Sequence, residues 1–295
     1  MTAKIAGIVI AYFPDAEKLK FNIESYIDRT EQLFIVINSS VSLEEVNRIQ
    51  SWNSKIQLVC NKENIGIASA LNQIAQKVLN LGYDWLLTMD QDSYFKNLDF
   101  FEAFDRGNKI NVAIFSPNSI PSEIKAGNID DNSEVLNVIT SGNLLNLEIW
   151  RSLGGFEEKL FIDEVDNDYC LKAVSNGSKI ISFKNCHLVH ELGKNKEVSI
   201  LNKKLTIITH TPIRAYYIFR NSLYIFNKYE KEFPEFVRSR KIILLKVFIK
   251  ILLFSPERIK NFRYIIRGVK DYFNNSYGCY VGKSSKHKKT ANILK

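Results

Sequence analysis

The chain has 295 residues, of which 45% are apolar and 24% charged, and its net charge is +8. This composition is ordinary for a globular protein with one large domain plus an extension, and it excludes low-complexity chains. No run reaches the roughly 20 apolar residues of a membrane-spanning helix, and Ile5–Phe13 is too short for a signal peptide. Four scattered cysteines without a C-x-x-C pair favour reduced, mostly buried thiols in a cytoplasmic protein (Cys60, Cys170, Cys186 and Cys279).

The positive charge is concentrated at the C-terminal end of the sequence. Residues 1–237 hold 25 Lys and Arg against 30 Asp and Glu, a balance of −5. Residues 238–295 hold 15 against 2, a balance of +13. The basic character therefore indicates a surface partner for the last fifth of the chain.

In the N-terminal half, segments typical of strands alternate with segments typical of helices. We predict strands at Ile5–Phe13, Leu33–Ile37, Ile56–Cys60 and Trp85–Asp90, and helices at Asp15–Arg29, from the capping box Ser42-Leu43-Glu44-Glu45 to Trp52, and at Ile67–Leu81. The alternation predicts right-handed βαβ units, and hence an α/β fold with a mainly parallel sheet covered by helices. In such sheets ligands bind beyond the carboxyl ends of the strands, where Asn38, Asn61 and Asp90 fall.

The second half contains shorter elements and then helices. We predict helices at Phe100–Arg106 and Val165–Ser175, strands at Val112–Ser116 and Val135–Thr140, an edge strand at Ile180–Phe183, a polar connection at Pro117–Asn132, and turns at Ser141-Gly142-Asn143 and Gly154-Gly155-Phe156. From Arg214 onward the pattern is helical and increasingly basic. The chain is accordingly divided into a domain at residues 1–225 and a basic, amphipathic helical extension at 226–295.

Two short acidic clusters in the sequence indicate a catalytic site. The first, Met89-Asp90-Gln91-Asp92-Ser93, closes a buried strand, and its two carboxylates are of the kind that hold Mg²⁺ or Mn²⁺ beside substrate phosphates. The second, Phe161 to Tyr169, offers a further carboxylate that could act as a general base. A lone D-x-D is more often a surface turn, but its position after a core strand favours function. Together the clusters indicate group transfer from a nucleotide-activated donor.

Eight motifs in order resemble those of the inverting GT-A glycosyltransferases of family 2, and within them the bacterial rhamnosyltransferases. They are Ile8-Val9-Ile10-Ala11-Tyr12, Val36-Ile37-Asn38-Ser39-Ser40, Asn61-Lys62-Glu63-Asn64-Ile65-Gly66, Met89 to Ser93, Ser141-Gly142-Asn143, Gly154-Gly155-Phe156, Phe161 to Lys172, and Tyr216-Tyr217-Ile218-Phe219-Arg220-Asn221. The similarity spans about residues 5–225, and its rhamnosyl branch rests on the last two motifs. It implies a GT-A catalytic domain, a Mn²⁺ or Mg²⁺ cofactor and a nucleotide-sugar donor, dTDP-L-rhamnose.

The resemblance also implies roles for residues that handle the metal and the reaction. Asp92 is the expected direct metal ligand, Asp90 lies nearer the ribose or metal-bound water, and His190 completes the metal shell or is a packed histidine. Asp166 is the expected catalytic base, which takes a proton from the attacking acceptor hydroxyl. The neighbouring acids Asp163, Glu164 and Asp168 otherwise suit the start of a helix.

Further residues are implied in donor binding. Asn38 is at the position that binds the pyrimidine base in the family. Its amide could pair with a base edge, because it offers both a hydrogen-bond donor and an acceptor. Ile37, however, replaces the acidic residue that usually precedes this position. Asn64 and Gly66 precede a helix whose N-terminal amides can hold phosphate or nucleoside. Arg214 and Arg220 are expected to clamp the diphosphate. Asn72 is either a ligand or part of a solvated helix face.

The basic extension contains an apolar helical run, Ile242 to Phe254, in which Lys246 and Lys250 lie on one stripe. Such a helix can lie in the interface of an anionic membrane, or it can pack on the core with its lysines exposed. No motif for nucleic-acid binding is present. A peripheral location on the inner face of the plasma membrane would suit a lipid-linked glycan acceptor.

We therefore predict a cytoplasmic, metal-dependent inverting glycosyltransferase that moves L-rhamnose to a cell-surface polysaccharide precursor. Three alternatives stay open: transfer of another sugar from a UDP donor, a nucleotidyltransferase, and a glycan- or membrane-binding scaffold without activity. The nucleotidyltransferase is disfavoured because Tyr12-Phe13-Pro14-Asp15 is not a Gly- and Lys-rich loop. The scaffold is disfavoured because both acidic clusters are intact.

Overall fold

The structure is a computed structural model that describes residues 3–118, 128–190, 195–200, 203–208 and 211–282. The chain forms two compact units, the first comprising Met1–Glu157 and Glu164–Ile208, the second Glu158–Asp163 and Thr209–Lys295. The sequence-based boundary between residues 225 and 226 falls inside a helix of the second unit, Pro212–Tyr229. The compact units therefore divide upstream of that boundary.

The first unit begins with strands and helices in strict alternation. They are β1 (Ile5–Ala11), α1 (Ala16–Glu24), β2 (Gln32–Ile37), α2 (Leu43–Gln50), β3 (Ile56–Cys60), α3 (Ile67–Asn80) and β4 (Trp85–Asp90). The four strands pair in parallel in the order β3-β2-β1-β4. Because the register pairs Ala11 with Ile37 and Ile10 with Asp90, the residues after these strands meet at one edge of the sheet.

The remainder of this unit extends the sheet. Its elements are β5 (Ser93–Phe95), α4 (Asp99–Arg106), β6 (Val112–Asn118), β7 (Asn132–Glu134), β8 (Asn143–Asn146), α5 (Leu147–Ser152), α6 (Val165–Ser175), β9 (Lys179–His190), β10 (Asn195–Ile200) and β11 (Lys203–Ile208). Beyond β4 the order continues β8-β6-β9-β5, with β7 beside β9. In the described residues, β10 and β11 form a separate antiparallel pair. The predicted α/β class is confirmed, with a mixed sheet.

Two strand predictions were wrong. Residues 135–140 form no strand: Val135 N still donates to Ile180 O of β9, but Thr140 O accepts from the side-chain hydroxyl of Thr88. The segment Ile180–Phe183 is not an edge, because β9 has β6 on one side and both β5 and β7 on the other. The predicted polar connection at residues 117–132 lies partly outside the described residues.

An aromatic cluster forms much of the core beneath the later strands. Trp85, Phe104 and Phe115 contact one another, with ring centroids 5.1–5.6 Å apart. Burial of such rings is a major apolar contribution to stability. The four cysteines are free, as predicted, but only Cys170 and Cys186 are buried, and burial raises the pKa of each of these two thiols to about 12.

Within the described residues of the second unit, the α-helices are α7 (Pro212–Tyr229), α8 (Pro234–Phe254) and α9 (Arg258–Phe273), which confirms the predicted helical pattern. Close contact between α7 and α9 requires Gly268, since a Cβ atom there would lie 2.5 Å from Tyr216 O. Among the helices of the described residues, none combines the length and hydropathy that a bilayer crossing needs.

Candidate active site

Three predicted metal ligands lie together at the carboxyl end of β4. Asp90 ends β4, Asp92 follows two residues later, and His190 ends β9, which pairs with β5 so that Ser93 faces His190. Candidate ligand atoms of Asp90, Asp92 and His190 all lie within 4.8 Å of one another. His190 Nδ1 is 3.6 Å from Asp92 Oδ1 and 4.0 Å from Asp90 Oδ2.

The chemistry of this group fits a divalent cation. Carboxylate oxygens suit Mg²⁺ and Mn²⁺, and an imidazole nitrogen suits the transition metal. Asp92 Oδ1 is buried and accepts no hydrogen bond, as expected of an atom reserved for an ion. Burial raises the pKa of the nearby Tyr26 phenol, and the negative charge of Asp90 raises it further.

The predicted donor-binding residues at β2 and α3 also meet. Asn38 Nδ2 donates to Gly66 O at 3.2 Å, and Gly66 N donates to Asn64 Oδ1 at 2.9 Å. Asn38 Oδ1 accepts from Asn61 Nδ2 at 2.8 Å. Both the nitrogen and the oxygen of the Asn38 amide are therefore hydrogen-bonded, and Asn38 is only 2% exposed. Asn61 is the more accessible amide of the two.

Asp166 lies in the first turn of α6 and lines a cleft with Thr88 of β4. The cleft is small, with room for about one water molecule, and also contacts Asn143, Tyr169 and Cys170. Thr88 precedes Asp90 by two residues in β4. The candidate base and the strand that carries the acidic pair thus border the same cleft.

Two of the neighbouring acids are less accessible than the half-buried Asp166. Glu164 is buried and accepts from Asn167 Nδ2 at 2.7 Å, while Asp168 is fully buried. In the second unit, Asp163 forms an ion pair with Arg214 at 3.2 Å. Burial therefore disfavours Glu164 and Asp168 relative to Asp166 for contact with a substrate.

Arg220 is fully buried in the second unit. Its guanidinium donates to Asn221 Oδ1, the Tyr216 hydroxyl, and the carbonyl oxygens of Gly278, Lys159 and Leu160. Because these donors are all bonded within the second unit, Arg220 stabilises the packing of that unit and has no N–H left to bind a diphosphate. Arg214 is half-exposed.

Several polar residues that support the site were not found from the sequence. Asp90 N donates to Ser141 Oγ at 3.0 Å, and Ser93 Oγ lies 2.7 Å from His190 Nδ1. Tyr12 N donates to Gln91 Oε1 at 2.8 Å. Their partners are far away in sequence, so no local spacing reveals them. Asn72, left open above, bonds both backbone groups of Phe156.

The chain resembles known glycosyltransferases in sequence and in fold. It is 26% identical over 247 residues to the dTDP-rhamnosyl transferase RfbF of Shigella flexneri, a match that covers 77% of this chain and 81% of that protein. GalNAc-T7, crystallised with UDP, GalNAc and Mn²⁺, matches with a TM-score of 0.54 and 12% identity over 64% of this chain. The match covers only 44% of the GalNAc-T7 chain.

A second solved structure, residues 1–349 of S. aureus TarS, matches with a TM-score of 0.48 and 12% identity over 96% of this chain and 77% of that one. No protein-family model matches the chain. The match to GalNAc-T7 confirms the predicted GT-A fold, and the match to RfbF adds similarity in sequence. The chain thus has the GT-A fold and is similar in sequence to a rhamnosyltransferase.

Proposed function

We propose that the protein transfers L-rhamnose from dTDP-L-rhamnose to a hydroxyl of a lipid-linked polysaccharide precursor, with inversion at the anomeric carbon, as an enzyme of family 2. The observation that carries the proposal is the meeting of Asp90, Asp92 and His190 at the carboxyl end of β4. The donor is suggested by the name of the relative RfbF. The carboxylate of Asp166, which lines a cleft with Thr88 of β4, supports a hydroxyl acceptor because it could take the proton of that hydroxyl.

In the proposed reaction, Asp166 takes the proton of the acceptor hydroxyl while that oxygen bonds to the anomeric carbon. The bond from this carbon to the diphosphate oxygen breaks, and dTDP leaves. Attack from the face opposite the leaving group inverts the anomeric carbon. A base placed within hydrogen-bond reach contributes about 10²–10⁴-fold to such a step.

Donor binding is assigned to Asn38, Asn64, Gly66, Asp90 and Arg214, and Asn61 joins them because it is the more accessible amide. Asp90, Asp92 and His190 would hold Mn²⁺ or Mg²⁺, which when bound supplies Lewis-acid stabilisation of the departing diphosphate. Ser93 would orient the His190 ring through its bond to Nδ1. A UDP-linked sugar is the alternative donor, favoured by the UDP in the GalNAc-T7 structure.

A panel of nucleotide sugars tests the donor by thermal stabilisation in the presence of Mn²⁺. A ligand at 100 times its Kd stabilises the folded state by about 2.7 kcal/mol, which raises the Tm by a few degrees. We expect dTDP-L-rhamnose to give the largest shift. A larger shift with a UDP-sugar would move the assignment to the alternative donor, and stabilisation by a nucleoside triphosphate alone would favour a nucleotidyltransferase.

We also propose that the second unit binds the anionic inner surface of the plasma membrane. One face of α8 packs in the second unit through Ile251 and Phe248, whose ring lies 6.0 Å from that of Phe219. The opposite face exposes Leu245, Ile249 and Leu253, which follow one another at helical spacing. Residues 238–282 hold ten Lys and Arg against two Asp and Glu. An exposed apolar stripe among basic side chains is typical of helices that lie in a membrane interface.

The double substitution Leu245→Glu with Leu253→Glu is expected to abolish binding to anionic vesicles. Each leucine is more than half exposed, so the fold should tolerate the change, while two carboxylates oppose both insertion and attraction to the lipid. Co-sedimentation with phosphatidylserine vesicles measures the effect. The matched control is Leu43→Glu with Ile110→Glu, at exposed apolar positions of the first unit. Equal loss in both variants, or no binding by the unaltered protein, would contradict the membrane proposal.

A further inference from the structure

The side chain of Gln91, the middle residue of Asp90-Gln91-Asp92, bonds the backbone of a distant loop. Tyr12, the first residue after β1, donates its backbone N–H to Gln91 Oε1 at 2.8 Å. In return, Gln91 Nε2 donates to Tyr12 O at 3.3 Å. Since the amide accepts from an N–H and donates to a carbonyl, its two partners identify its oxygen and its nitrogen. The Gln91 side chain thus pairs with one backbone residue in both directions.

The backbone around Gln91 is held as well. Asn22 of α1, which is 2% exposed, donates its Nδ2 to Gln91 O at 2.8 Å. On the preceding residue, Asp90 N donates to the buried hydroxyl of Ser141 at 3.0 Å. The turn that carries the two carboxylates is therefore fixed by contacts from three separate parts of the first unit.

The loop to which Gln91 is bonded is itself fixed. Phe13 has a φ of 46°, in the left-handed region that L residues rarely adopt. Its backbone N–H donates to Ser39 Oγ at 2.8 Å, just beyond the end of β2. Such a conformation persists only where surrounding bonds enforce it. Gln91 consequently joins the acidic turn to a loop that cannot easily shift.

We propose that Gln91 is a positioning residue for the metal group: its amide bonds to Tyr12 set the separation of the Asp90 and Asp92 oxygens that a divalent cation requires. The proposal rests on the metal dependence proposed above. Groups that orient metal ligands without touching the ion commonly contribute about 10–100-fold to metal affinity. Gln91 acts here through the backbone, because it lies between the two ligands in sequence.

Gln91→Met tests this role, because it keeps the length of the side chain and removes both hydrogen bonds. The chain offers a matched control in Gln50, whose amide also bonds backbone in both directions: Nε2 donates to Ile56 O, and Oε1 accepts from Leu58 N at 3.2 Å. Gln50 lies at the end of α2 and bonds β3, away from the metal group. Mn²⁺ affinity of the full chain is measured by calorimetry, with and without dTDP, beside the Tm of each variant.

We expect Gln91→Met to weaken Mn²⁺ binding by about 10–100-fold and Gln50→Met to leave it at the value of the unaltered protein. The two variants should lower the Tm to a similar extent, since each loses the same kind of bonds. Unchanged Mn²⁺ affinity in Gln91→Met, or an equal loss in both variants, would overturn the positioning role. An unaltered protein that binds no Mn²⁺ even with dTDP would instead contradict the proposed metal dependence, and the inference with it.

Discussion

Replacing Asp166 with Asn is expected to lower the transfer rate at least about a hundredfold while donor binding stays nearly unchanged. The substitution keeps the shape of the side chain but removes the carboxylate that is proposed to take the acceptor's proton. Asp166 lies in the first turn of α6 beside the cleft that Thr88 also lines, so the change should leave the acidic pair intact. Initial rates of transfer and calorimetric donor binding, measured on the same preparation, separate the two effects.

Asp163→Asn is the matched control for this experiment. It removes a neighbouring carboxylate that is paired with the proposed donor-binding residue Arg214, so we expect its effect in donor affinity and far less in turnover at saturating donor. Near-normal turnover of Asp166→Asn combined with a large loss in Asp163→Asn would transfer the role of base to Asp163. Normal turnover in both variants would reject both residues as the base.

Removing the metal is expected to abolish transfer, and Asp92→Ala should do nearly the same. Lewis-acid stabilisation of a leaving diphosphate is worth several kcal/mol, which corresponds to a loss of about a thousandfold or more. Asp92 Oδ1 is the buried oxygen without a hydrogen bond, so its removal should affect the ion more than the fold. Binding of dTDP, measured by calorimetry, should weaken more with Mn²⁺ present than with the metal chelated.

Comparing the loss of dTDP affinity with and without metal distinguishes the loss of a metal ligand from a general loss of structure. Asp105→Ala removes an exposed carboxylate of α4 and should bind dTDP like the unaltered protein under both conditions. Full transfer activity in excess EDTA would falsify the metal hypothesis, and stabilisation of the diphosphate would then fall to other groups such as Arg214. An Asp92→Ala variant with the same loss in the presence and absence of metal would point to misfolding of the turn.

The sequence by itself determined the α/β class and most of the first unit. Ile56–Cys60, Trp85–Asp90 and Val165–Ser175 have the predicted bounds, because apolar runs, caps and breakers act over a few residues. The resemblance to GT-A enzymes also implied Asp90 and Asp92 as metal ligands through an ordered motif, and His190 through its place after a predicted edge strand. Asp90 and His190 lie about a hundred residues apart in sequence, and only the pairing of β5 with β9 brings them together.

The tertiary structure decided the burial and the long-range hydrogen bonds of individual residues, which local sequence patterns do not reveal. Val135–Thr140 has the composition of a strand but forms none, and the carbonyl of Thr140 accepts from the Thr88 side chain instead of from a backbone amide. Arg220 has the chemistry of a diphosphate ligand, but its position in the second unit leaves it buried and fully bonded. Gln91 has no assigned role in the sequence analysis, and only the parallel pairing of β1 with β4 brings its amide to Tyr12. Hydrogen bonds between residues far apart in sequence depend on the register of the whole sheet, and for that reason the folded chain alone reveals them.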